Sequence, residues 1–128
     1  MDMPLPDQTV LAKGPRIIAA LRQMLPPDAV IHGDETRAYE CDALTAYRCR
    51  PMVVVLPRTT EQVAAVLRLC HDEGVPVVPR GAGTSLAGGS LPTSDCVVLG
   101  VARMNAVLEA DYPNRFVRVQ TGRTNLGV

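Results

Sequence analysis

The sequence predicts an α+β fold, a small parallel sheet flanked by helices with a following antiparallel hairpin. Three stretches predict it. "MVVVL", Met52 to Leu56, is a continuous β-branched run of the kind that forms a strand buried on both faces. A capped amphipathic helix follows it, and then "VPVV", Val75 to Val78, which opens into the glycine-rich "PRGAGTSLAGGS". Strand, helix and strand in so short a span form a compact right-handed βαβ unit with parallel strands.

Taken in order, a loose start gives way at Gly14-Pro15 to "RIIAALRQML", where Ile17, Leu21 and Met24 recur at helical spacing until Pro26-Pro27 stops the run. A first helix is expected over Pro15 to Leu25. Asp28 to Pro51 has turn formers, charges and two tyrosines without a period and reads as irregular. After the first strand, Thr59-Thr60-Glu61-Gln62 reads as a capping box, with Val63, Val66, Leu67 and Cys70 as the apolar stripe and Gly74 and Pro76 as the stop. Beyond the glycine loop, Cys96 to Val101 and Ala106 to Ala110 read as third and fourth strands. Arg115 to Thr121 alternates like a half-exposed fifth, with Tyr112-Pro113-Asn114 as the hairpin turn. "TGRTNLGV" stops midway through what reads as the start of another element, so the chain looks cut.

Composition narrows the function. The 128 residues are 47% apolar and 20% charged, which suits one small domain with a thin core. Lysine plus arginine and aspartate plus glutamate both count 13, so no net field favours nucleic acid or an anionic membrane, and 3% aromatics are too few for base stacking. Cys41, Cys49, Cys70 and Cys96 form no CxxC pair and His32 and His71 lie far apart, which is no zinc pattern. Cys70 and Cys96 read as small buried hydrophobes. With neither a signal-like start nor eighteen consecutive apolar residues, the expected location is cytoplasmic, with no membrane span.

Gly81, Gly83, Gly88 and Gly89 raise the question of a ligand. Gly83 and Gly88 have P-loop spacing, but Gly89 stands where that motif needs lysine. A GxGxxG fingerprint begun at Gly81 meets Leu86 at its sixth place. Both templates also need a helix opening from the loop, and Pro92 leaves no room for one. What remains is a nest of backbone N–H groups suited to an extended diphosphate, with Arg80 as a nearby cation and Thr84, Ser85 and Ser90 as hydroxyl donors. The plain alternative is a glycine-rich surface turn whose arginine pairs with a carboxylate. No catalytic or metal-binding residue is expected. Asp72-Glu73 suit a solvated helix end, both histidines suit solvent, and Tyr39 and Tyr47 suit packing with a polar handle.

The run "VVVLPRTTEQVAAVLRLCHDEGVPVVPRGAGTSLAGGSLP" and the later "ARMNAVLEADYPNRFVRVQTGRTNLGV" resemble the N-terminal half of the PCMH-type FAD-binding domain of the vanillyl-alcohol oxidase family. The likeness is greatest to the branch of glycolate oxidase D-subunits and D-lactate dehydrogenases. "YECDALTAYRCRP", Tyr39 to Pro51, resembles that branch's lead-in, so the likeness covers about Asp34 to the end. It implies FAD contacts from Pro79, Arg80, Gly81, Ala82, Gly83, Thr84, Ser85, Gly88, Gly89 and Ser90, with Pro57 near the adenosine end. It also implies that "RMN", Arg103 to Asn105, and "TGRTN", Thr121 to Asn125, pass close to the cofactor, with Asn105, Gly122 and Thr124 as contacts. Thr121 and Arg123 depart from the family's usual proline and small apolar residue, and Gly100 from an acidic or hydroxyl residue. The implied organisation is an N-terminal helix and lead-in over 1–33 and a partial FAD-binding domain over 34–128, without its second half or the substrate domain. The implied activity is oxidation of a small 2-hydroxy acid by hydride transfer to flavin in the complete enzyme, and the implied partners are that acid and the other subunits of a glycolate oxidase complex. The fragment alone is expected to be inactive and open to self-association. A remnant without cofactor, or the flavin domain of a D-lactate or other D-2-hydroxyacid dehydrogenase, are the alternatives.

Overall fold

The computed structural model describes residues 3–128. Helix α1, Gln8–Met24, starts earlier than the Gly14-Pro15 pair suggests. Asp7 caps it by accepting the Thr9 amide at 2.7 Å, and Val10, Gly14, Ile17 and Leu21 form its buried stripe. Pro15 lies inside the helix on its exposed side; a proline there removes one N–H, and the buried stripe on the other side carries the helix through it.

Residues 28–51, expected to be irregular, contain short ordered pieces. A 3-10 turn at Pro27–Ala29 leads into β1, Val30–Ile31, and a longer 3-10 segment covers Gly33–Tyr39. Strand β2, Val53–Val55, is wholly buried. Helix α2, Thr60–Glu73, begins with the expected box: Thr59 accepts the Gln62 amide at 3.2 Å and Gln62 accepts the Arg58 amide at 2.7 Å. It ends at Gly74 in the left-handed conformation, φ 68°. Its inward face is Val66 and Cys70 with Val63 and Leu69. Leu67, expected on that stripe, is 45% exposed, since position 69 rather than 67 turns toward the sheet.

Strand β3 is Val77–Arg80 and β4 is Val97–Gly100. The sheet order is β1-β2-β4-β3, with β2, β4 and β3 parallel and β1 antiparallel at the edge. The strands of the βαβ unit are therefore parallel, but β4 is inserted between them. Its four residues are all buried, which suits the centre of a sheet covered on both faces. Alternation divides the core: Val53, Val55, Val97 and Leu99 join Ile17 and Leu21 of α1 and Val66 and Cys70 of α2, so both helices cover one face. Val54, Leu56, Cys96 and Val98 form the other cluster, against Ile31, Tyr39 and Val78.

Strands β5, Val107–Asp111, and β6, Phe116–Val119, pair antiparallel as a separate hairpin. Asp111 holds its turn by accepting the Asn114 amide at 3.0 Å. The half-buried alternation expected of the last strand is absent, because the hairpin is not layered on the sheet: Phe116 is 42% and the adjacent Val117 41% exposed. Among the described residues, no helix is long and apolar enough to cross a membrane.

Candidate cofactor site

The glycine loop leaves the end of β3 and reaches β4 without forming a helix. Pro79 and Arg80, expected in the loop, are the last residues of β3, because parallel pairing with Leu99 and Gly100 continues through them. Gly83 and Gly88 take positive φ, 75° and 77°, which glycine adopts without strain. Internal bonds are few. Leu91 donates to the Gly88 carbonyl at 3.1 Å and the Ala87 amide donates to Ser85 Oγ at 3.3 Å. Among the described residues, the amides of Gly81, Ala82, Gly83, Thr84, Ser85 and Leu86, and of Gly89 and Ser90, donate to no protein acceptor.

All of these donors but Leu86 border a hollow of about 270 Å³ lined by Pro79, Gly81, Ala82, Gly83, Thr84, Ser85, Gly89 and Ser90. Gly81 and Ala82 also line a neighbouring hollow of about 470 Å³ with Asn105, Gly122 and Thr124, with Thr121 and Arg123 of the segment expected to pass close to the cofactor, and with Ala102, which the sequence did not single out. Eleven of the residues named from sequence thus border one or other of two adjoining hollows that share Gly81 and Ala82, together called the basin. Ser90 is 6% exposed and its Oγ has no partner, an orphaned hydroxyl beside the free amides.

Three named residues stand apart. Pro57, in the connection from β2 to α2, is under 2% exposed and lines neither hollow. Gly88 donates its amide to Asp42 Oδ2 at 3.0 Å and faces the opposite side of the loop. Arg80 points its guanidinium at backbone carbonyls, Cys41 at 2.8 Å and Ser90 at 3.3 Å, and lies 5.7 Å from the centre of the Tyr39 ring. Among the described residues it meets no carboxylate, and it braces the loop instead of lining the basin.

The far wall is pressed together by glycine. Gly122 donates to the Met104 carbonyl at 2.8 Å, and a Cβ at 122 would fall on the Val101 carbonyl oxygen. At Gly100, another departure, a Cβ would meet Leu56 Cδ2 at 2.7 Å. Arg103 turns away to Asp28 at 2.7 Å, leaving Asn105 at the basin. The Arg123 guanidinium folds back onto the Gly127 and Asn105 carbonyls. Ala102 flanks the expected Arg103 to Asn105 segment, but its side-chain chemistry gives no signal for a lining position of this kind. His32 and His71 are exposed, and Cys70 and Cys96 are buried free thiols.

A parallel-stranded core that ends in a helix-free cradle of unpaired amides, with a glycine-pressed turn opposite, defines a domain built to hold a phosphate-bearing cofactor. A family model described as "FAD binding domain" matches residues 51–127. The chain is 48% identical over 113 residues to glycolate oxidase subunit GlcD of Escherichia coli (strain K12), covering 88% of this chain and 23% of that one. It is 32% identical over 109 residues to a D-lactate dehydrogenase of Anaerostipes hadrus, covering 84% and 23%. Among solved structures, p-cresol methylhydroxylase with substrate bound superposes with a TM-score of 0.78 at 22% identity, over 95% of this chain and 24% of that one, a likeness of fold. The chain belongs to the FAD binding domain family, and its cofactor is FAD. It spans about a quarter of the length of the relatives it matches.

Proposed function

We propose that this chain is the FAD-holding lobe of a flavoprotein that oxidises a 2-hydroxy acid. The observation that carries this is the run of unpaired amides from Gly81 to Ser85 bordering two adjoining hollows that share Gly81 and Ala82. The residues fit the cofactor: Gly83 takes positive φ with its amide free at the hollow, and the Ser90 hydroxyl is buried without a partner. FAD, when bound, supplies the hydride acceptor.

The amides of Gly81 to Ser85, with Gly89 and Ser90, would hold the diphosphate, and Thr84, Ser85 and Ser90 would add hydroxyl donors. Pro79 would close the wall beside them. Asn105, Gly122 and Thr124 would bound the cofactor from the far wall. The described residues bordering the basin include no histidine, carboxylate or lysine to move a substrate proton, so this chain grips and orients while acid–base groups come from elsewhere in the complete protein. On this reading residues 34–128 are one part of an FAD domain. The 2-hydroxy acid class is supported by two relatives named for glycolate and D-lactate. The subunit in the GlcD name supports a multi-subunit setting.

The test is a titration of the purified protein with FAD, followed by flavin fluorescence and visible absorbance. Saturable binding is expected, weakened at least about tenfold by Gly83→Val, a loss of about 1.4 kcal/mol. A wild-type protein that leaves the flavin signal unchanged at high FAD sinks the proposal in favour of a cofactor-free remnant.

A further inference from the structure

The segment before the family match, residues 39–44, makes four contacts with the glycine loop and with Arg80 at the end of β3 that leads into it, without bordering the basin. The Tyr39 ring lies by the Arg80 guanidinium, and the Cys41 carbonyl accepts from that guanidinium at 2.8 Å. Asp42 Oδ2 accepts the Gly88 amide at 3.0 Å, while its Oδ1 accepts the Leu44 amide at 3.1 Å. The Ala43 amide donates to the Ser85 carbonyl at 3.1 Å. The segment is itself anchored, since Cys49 donates to the Glu40 carbonyl at 2.8 Å and Arg48 pairs with the Glu40 carboxylate at 2.9 Å.

We infer that residues 39–44 are a strap that pre-shapes the FAD loop, with Asp42 as its positioning residue. The inference rests on the flavin reading above. A loop rich in glycine and poor in internal bonds loses much conformational freedom when it closes on a ligand, and that cost weakens binding unless other contacts have already ordered it. The strap uses groups the basin does not need: the Ser85 carbonyl, the Gly88 amide and, through Arg80, the Ser90 carbonyl. The donors from Gly81 to Leu86 are left free. Asp42 is 5% exposed and holds an N–H on each carboxylate oxygen, so it is a fixed acceptor inside the protein, not a surface charge facing a diphosphate.

The experiment compares wild type, Asp42→Asn and Asp42→Ala in FAD titrations, together with amide hydrogen exchange at Gly88 without FAD. Positioning predicts a dissociation constant raised about tenfold in Asp42→Asn and further in Asp42→Ala, with faster exchange at Gly88 in both. Asparagine separates the explanations: it removes the negative charge while keeping the shape, so an effect of charge alone would tighten FAD. Tighter or unchanged binding by both variants overturns the strap. If wild type binds no FAD, the flavin reading itself has failed. Exchange then still decides whether the strap orders the loop, and a rate at Gly88 unchanged in Asp42→Ala overturns it.

Discussion

Gly81, Gly83 and Gly122 look alike in the sequence and differ in what a methyl group would meet. At Gly81 nothing lies within 4 Å of an added Cβ; at Gly83 the Cβ falls on the Arg80 guanidinium; at Gly122 it falls on a backbone carbonyl that cannot swing aside. Gly81→Ala should therefore leave stability within about 0.5 kcal/mol of wild type, while Gly122→Ala should cost on the order of 2–3 kcal/mol as the turns at Val101–Met104 and Gln120–Arg123 are forced apart. Urea denaturation of the two variants checks the order. Equal midpoints would mean that the far wall of the basin is not held by close backbone approach. Because Gly81 borders both hollows, its variant also isolates binding from folding: FAD affinity should fall with the denaturation midpoint unmoved.

At the scale of elements, the parts with local signatures were legible. The α2 box, its glycine stop, the β-branched runs and the Pro113-Asn114 turn each follow from short-range chemistry, and all four appear. Elements that rest on distant partners were not. Strand β1 has two residues and exists because Val30 and Ile31 pair with Val55 and Val54, which no local pattern announces. The start of α1 was hidden by Gly14-Pro15, where a usual helix opener sits mid-helix because Asp7 caps the chain further upstream. Strand order was also unreadable, since β4 lies later in sequence than both of its neighbours. The box gives a direct prediction. Thr59→Ala removes the acceptor for the Gln62 amide and should lower stability by about 1 kcal/mol, read from the urea midpoint, whereas Thr60→Ala, at an exposed first-turn position, should change it little.

For the whole molecule, the basin was legible as a set of glycine and hydroxyl positions, but the roles of Arg80 and Asp42 were not, because a strut and a ligand contact look the same in one dimension. The fold as a unit also sets a pH range for stability. On the acid side, the Thr9 hydroxyl and amide hold the Asp7 carboxyl below its ordinary value. Burial pushes Asp95 and Asp28 up, but it is outweighed at Asp95 by the Thr93 hydroxyl and Asp7 amide and at Asp28 by Arg103 and Arg58, so both also end lower. Each contributes stability that is present above the unfolded value of 3.8 and disappears as pH falls through the lower folded value. On the alkaline side, burial pushes the Cys70 and Cys96 thiols up to about 11 from 9.0. Above 9.0 the unfolded chain ionises them while the core keeps them neutral, so their contribution is complete below 9.0 and is lost as pH rises toward 11. The melting temperature should therefore be flat between about pH 5 and 8 and fall on both sides, with an alkaline limb steeper than a single thiol gives. Cys70→Ala should make that limb shallower while leaving the acid limb in place. A melting temperature that holds constant from pH 8 to 11 in wild type would show that these thiols ionise as readily folded as unfolded, and the sheet core they share would then be open to water.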